Sequence, residues 1–222
     1  DVRKTLLLYP SNETSREAID KELSIYQKIG AAKHIVRIEE RVDTEHFTGL
    51  LMEAGDCSLS HYMLIRQEIP IDDVKDYIRQ IALGLKESYA AVSCHGNLSP
   101  DNVIMFWNDG SYTLKLRGFK SHPMYDTDSE MRRFLYESPL KSAGVEQDMF
   151  SLGMILTQLA SPSLPYHNRS EFHDDLRNGQ KLQRSALAEN NVPANLIELS
   201  LQCTRYHPKE RCQSIDEFIA RL

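Results

Sequence analysis

Apolar and polar positions change their period several times along the chain. Residues 2–9, VRKTLLLY, form a β-rich run that ends on Pro10-Ser11-Asn12 and predicts a strand. Between Ser15 and about Ile29, Ile19, Leu23 and Tyr26 recur at spacings of four and three, the stripe of an amphipathic helix. Thr14 and Glu17 supply a capping box at its head, and Gly30 stops it. The β-rich runs HIVRIEER and HFTGLLME follow, separated by Val42-Asp43-Thr44-Glu45, which suits a hairpin. Residues 1–53 thus predict a small β-α-β-β unit.

From Leu59 onward the helical period dominates. Val74, Tyr77, Ile78, Ile81, Leu85 and Tyr89 lie three and four apart in one long segment, as the core face of a helix requires. NVIMFW and YTLKLRGF flank Asn108-Asp109-Gly110, a strong two-strand turn signal. An irregular stretch from Lys120 to Glu146 precedes DMFSLGMILTQLA, apolar almost all round and therefore expected at the centre of the fold. Helical patterns also occupy about 194–205 and 214–222. The chain carries neither repeats nor low-complexity segments.

Composition narrows the functional classes. With 222 residues and 41% hydrophobic content, the chain can bury the core of one large domain or two small lobes around a cleft. Its net charge of −6, with Lys and Arg scattered, gives no basic face for nucleic acid. No run of about 18 apolar residues suggests a membrane span, and no signal-peptide pattern opens the sequence. Cys57, Cys94, Cys203 and Cys212 lack metal-ligand spacing and read as buried thiols, which favours the cytoplasm. Asn12-Glu13-Thr14, Asn97-Leu98-Ser99 and Asn168-Arg169-Ser170 match the glycosylation pattern, which is too short to shift that reading.

Five linked motifs then bring in a family. HGNLSPDNVI resembles the kinase catalytic loop H-R-D-L-x-P-x-N, and LKLRGFK resembles the strand leading into D-F-G. YESPL is similar to the end of an activation segment, QDMFSLGMIL to the D-x-W-S-x-G helix, and HPKER to the D-P-x-x-R before the last helix. Over essentially its whole length the chain resembles a protein kinase. The resemblance implies an α+β, bilobal kinase-like fold: an N-lobe over 1–55 lacking the first two strands and the glycine-rich loop, and a mainly helical C-lobe over 56–222. A parasite-secreted kinase group also lacks that loop, so a secreted, parasite-type location is the alternative to a cytoplasmic one.

Individual positions carry over from the resemblance. Lys4 fits the strand lysine and Glu22 its partner on the first helix; Met52 fits the gatekeeper, and Glu53, Ala54 and Gly55 the hinge. Leu59, Val103 and Ile104 fit core or adenine-bed positions. Tyr26, Ile38, His95 and Phe119 fit the stacked structural spine, with Asp148 the buried anchor beneath the catalytic loop. Lys4, Glu22, Glu53, Gly55, Asn102 and Lys120 are therefore the vestigial nucleotide-binding set.

The chemistry of the set is incomplete. Asn97 stands where the catalytic base belongs and Gly118 where the metal-binding aspartate belongs; an amide is no useful base, and glycine offers no side-chain oxygen. Gly96 and Ser99 replace two further catalytic-loop residues, and Lys120 adds a cation beside the metal position. Leu140 removes the glutamate that normally pairs with Arg211, so Glu137 or Glu210 is expected to take its place. The resemblance therefore implies a pseudokinase and no enzyme. Its expected work is protein-binding scaffolding or allosteric regulation, with an active kinase or another signalling protein as partner. ATP is expected to bind weakly if at all, and magnesium is not expected. The competing reading is an ATP-binding enzyme with weak or metal-independent chemistry, or a nucleotide-regulated switch.

Overall fold

Asn12, rather than Thr14, starts the first helix. In the computed structural model its side-chain oxygen accepts the Ser15 N–H at 2.8 Å, so α1 runs Glu13–Ile29 from a cap two residues ahead of the expected one. Ile19 and Tyr26 are buried on the inner face of α1, and Leu23 packs beside Ile19. The structure describes residues 3–66, 68–119, 134–140, 144–161 and 163–222.

Three strands form the upper sheet: β1 (Lys4–Pro10), β2 (Ile38–Asp43) and β3 (Phe47–Glu53), in the order β1-β3-β2 and antiparallel throughout. Period two decides its faces. Leu50 and Met52 turn inward onto Ile19 of α1, together with Leu7 and Tyr9 of β1. Leu6, Leu8 and Phe47 sit on the opposite face and stay exposed.

A second three-stranded sheet lies below: β4 (Cys57–Ser58), β5 (Val103–Asn108) and β6 (Ser111–Leu116). Asp109 at φ 45° and Gly110 at φ 96° make the tight turn between β5 and β6, a geometry that two-residue hairpins favour because it matches strand twist. Ile35 also bridges to Leu116, so the strand expected to begin at His34 splits into this bridge and the shorter β2.

The rest is helical: α2 (Leu59–Ile65), α3 (Ile71–Ser88), α4 (Val145–Ala160), α5 (Arg169–Arg177), α6 (Lys181–Glu189), α7 (Ala194–Cys203) and α8 (Ile215–Arg221). The expected stripe of α3 is buried from Val74 to Leu85. α4 is buried almost all round, as its composition demands, and packs against α3 and α7. The architecture is the expected α+β arrangement of a small strand-rich lobe and a helical lobe. Among the described residues, no helix is long and apolar enough to cross a membrane.

Candidate functional site

The site lies where the lower sheet, α1 and the loop 94–102 meet. Asp148, fully buried at the start of α4, accepts hydrogen bonds from three groups among the described residues: the His95 N–H at 2.6 Å, the Gly96 N–H at 3.0 Å and the Tyr89 hydroxyl at 3.0 Å. A carboxylate aimed at two successive backbone donors fixes the loop's path. Tyr89, read from the sequence only as the end of a core stripe, shares in this anchor.

His95, also fully buried, donates through Nε2 to the Arg117 carbonyl at 3.1 Å and accepts the Asn97 N–H through Nδ1 at 3.2 Å. These partners assign the neutral tautomer. Its ring lies 4.4 Å from that of Phe119, which meets Tyr26 edge-on at 5.4 Å. Ile38 packs between the two hydrophobic clusters above this stack. The structure thus brings Tyr26, Phe119 and His95 together in one column, and the Gly118 N–H donates to the Tyr26 hydroxyl at 3.1 Å.

Burial pushes the His95 imidazole down from 6.5 to about 4, against a smaller upward pull from the Arg117 carbonyl. The folded chain therefore binds fewer protons at this ring than the unfolded chain between those values. The stability this provides is complete above about pH 6.5 and falls as pH drops through the window. At about pH 4.5 the expected loss is about 2.5 kcal/mol. His95→Gln should flatten that part of the profile in urea titrations, since it leaves nothing to titrate; an unchanged slope would refute the assignment.

Asn97 and Asn102 close the site from below. Asn97 Nδ2 donates to the Gly118 carbonyl at 3.1 Å, and Asn102 Nδ2 donates to the Asn97 carbonyl at 2.9 Å. A Cβ built on Gly118 would lie 2.7 Å from Asn102 Oδ1, so the absent side chain lets the two strings approach. Gly118 has φ +77°, a conformation that costs other residues strain. These donors do not fit a magnesium site. Asn102 contributes one neutral oxygen, Gly118 none, and Asn97 directs its NH₂ at a carbonyl.

Lys4 and Glu22 are not brought together. The Lys4 ammonium lies 3.6 Å from Glu39 Oε2, on the face of the sheet opposite Met52. Glu22 is buried beneath Tyr9 and Tyr26. Burial first, and then the Glu22 charge, pushes Tyr9 up to about 12 and Tyr26 well above its usual range. The nearby Arg117 charge opposes both shifts, making it a cation of this region that the sequence reading passed over.

At the hinge, Glu53 receives Lys115 at 2.8 and 2.9 Å and the Arg37 N–H at 2.7 Å, so its carboxylate ties β3 to β6. Ala54 N–H donates to Arg3 O, Asp56 N–H donates to Met105 O, and Gly55 lies against Ile104 and the Met105 carbonyl. Lys120 falls outside the described residues. Among the described residues, no group of three or more His, Cys, Asp or Glu is placed to hold a metal ion.

Arg211 corrects another expectation. It is 1% exposed, yet neither Glu137 nor Glu210 pairs with it. Nε donates to the Arg205 carbonyl, Nη1 to the Glu146 carbonyl, and Nη2 to the Tyr206 carbonyl and Ser138 Oγ, while the guanidinium stacks 4.8 Å over Phe150. Burial pushes Arg211 down to about 10. Carbonyl dipoles and a ring face have taken the place of the missing carboxylate.

A family model described as protein kinase domain matches residues 2–220. The chain is 25% identical over 96% of its length to the serine/threonine-protein kinase ATG1b of Arabidopsis thaliana, and 26% identical over 88% to ATG1a of the same plant. It is 28% identical over 62% of its length to an SNF-related serine/threonine-protein kinase of Rattus norvegicus. It spans 29%, 33% and 20% of these relatives, a third or less of each. These names overturn the expectation of a non-enzyme, because the relatives are named as kinases. The motif departures at Asn97 and Gly118 therefore describe how this cleft is equipped and do not remove the chain from an enzyme family. With its small strand-rich lobe, its helical lobe and a family match across nearly every residue, the chain belongs to the protein kinase domain family.

Proposed function

We propose that this kinase-family domain works chiefly by binding: it engages a signalling protein, such as an active kinase, and regulates it allosterically. Any phosphate transfer follows an unusual, metal-independent course. The observation that carries the reading is the chain of bonds from Asn102 through Asn97 to Gly118. The amide in the base position is already engaged in holding the neighbouring loop, and the stacked column above it is complete without a charged ligand. A cleft preorganised in this way supports a fixed surface for a partner.

Nucleotide and metal separate the readings. A ligand that binds only the folded state raises the melting temperature by mass action. Any shift caused by ATP should be the same in magnesium as in a chelator, because among the described residues Asn97, Asn102 and Gly118 offer the metal no charged oxygen. A shift that requires magnesium, or transfer of labelled phosphate from ATP that stops on chelation, would overturn the proposal.

A further inference from the structure

Two thiols far from the cleft approach one another within the helical lobe. Cys203 ends α7, and Cys212 follows Arg211 just before α8; both are fully buried. Their sulfur atoms are 3.5 Å apart, with the Cys203 thiol donating to Cys212 Sγ. The other side of Cys203 is fixed by α4: a Cβ on Gly153 would lie 2.6 Å from Cys203 Cβ. Cys212 also receives Arg221 Nη1 at 3.7 Å.

We propose that Cys203 and Cys212 are a modification site, an oxidisable dithiol that a hydroperoxide converts to a disulfide. The geometry carries the proposal. Residues nine apart in sequence already place their sulfurs in contact, and closing the bond requires an approach to about 2.05 Å. The environments also divide the roles. The bond from Cys203 holds the Cys212 thiol below its usual range, while burial pushes Cys203 up. Cys212 is thus the sulfur that reacts first, on transient opening of the loop that bears it.

In that step the Cys212 thiolate attacks one oxygen of hydrogen peroxide. The O–O bond breaks, and the departing hydroxide takes up a proton to become water, leaving Cys212 as a sulfenic acid. Cys203 sulfur then attacks Cys212 sulfur, the S–O bond breaks, and the hydroxyl leaves as water with the proton of the Cys203 thiol. Two thiols together lose two electrons, and the peroxide gains two. Because Cys212 adjoins Arg211, the new bond draws on the residue that clasps Glu146 O and Ser138 Oγ. Oxidation is thereby coupled to the segment leading into α4.

The folded chain should be treated with hydrogen peroxide, unfolded in an alkylating reagent and digested for mass spectrometry. The expected product is a Cys203–Cys212 cross-linked peptide that dithiothreitol reverses. Cys203→Ser should leave Cys212 as a sulfenic acid captured by dimedone; if that variant folds poorly, Cys212→Ser should leave Cys203 unlabelled by dimedone and recoverable as the free thiol. The half-buried Cys57 is the internal control. If both thiols remain fully alkylatable once Cys57 has been oxidised, or if dimedone labels Cys203 in the Cys212→Ser variant and leaves Cys212 unlabelled in the Cys203→Ser variant, the site does not exist as described.

Discussion

Asp148→Ala is expected to lower stability by about 4 kcal/mol, and the melting temperature by roughly 10 °C. The carboxylate is fully buried and accepts from two backbone N–H groups and the Tyr89 hydroxyl. Deleting it takes the acceptor from these three donors, and each unsatisfied donor costs about 1–3 kcal/mol. Asp148→Asn should cost less, about 2 kcal/mol, because one oxygen survives while the other becomes a donor facing donors. Urea midpoints for the two variants, read at constant slope, measure the difference. If alanine and asparagine prove equally mild, the loop 94–102 is held by something other than this anchor.

Restoring the two missing carboxylates should damage the fold and should not improve the cleft. Gly118→Asp places a Cβ 2.7 Å from Asn102 Oδ1 at a φ of +77°. Strain of about 1–2 kcal/mol and overpacking of similar size predict a loss of about 3 kcal/mol. Asn97→Asp removes the bond to the Gly118 carbonyl and sets a carboxylate oxygen against it. The double variant is therefore expected to melt lower than either single variant and to show no more magnesium-dependent ATP stabilisation than the parent. A double variant that melts at the parental temperature and gains such stabilisation would show that Asn102 moves aside freely.

The parts of this fold that rest on local periodicity were legible in the sequence. The α3 stripe, the apolar α4 and the Asp109-Gly110 turn each state their geometry within a few residues. So was the column of Tyr26, Phe119 and His95, because linked motifs fix those positions relative to one another. Partners set by three-dimensional approach were not legible. Asn12 and Thr14 are both good caps, and only the chain's entry angle chooses between them. Lys4 had the spacing to meet Glu22, yet strand register turned it to the opposite face, where Glu39 waits. Glu53 offered no sign in sequence that its acceptor oxygens would go to Lys115, which is 62 residues away.

The clasp around Arg211 has a consequence for acid. An arginine held by a carboxylate loses its partner's charge when that carboxylate takes up a proton, and the joint then weakens. Here the acceptors are three carbonyl oxygens and a hydroxyl, none of which protonates in the range where carboxylates do. The joint between Ser138, the head of α4 and the turn before α8 therefore keeps its hydrogen bonds in mild acid and loses only the through-space attraction of the Glu146 charge, even as His95 gains its proton.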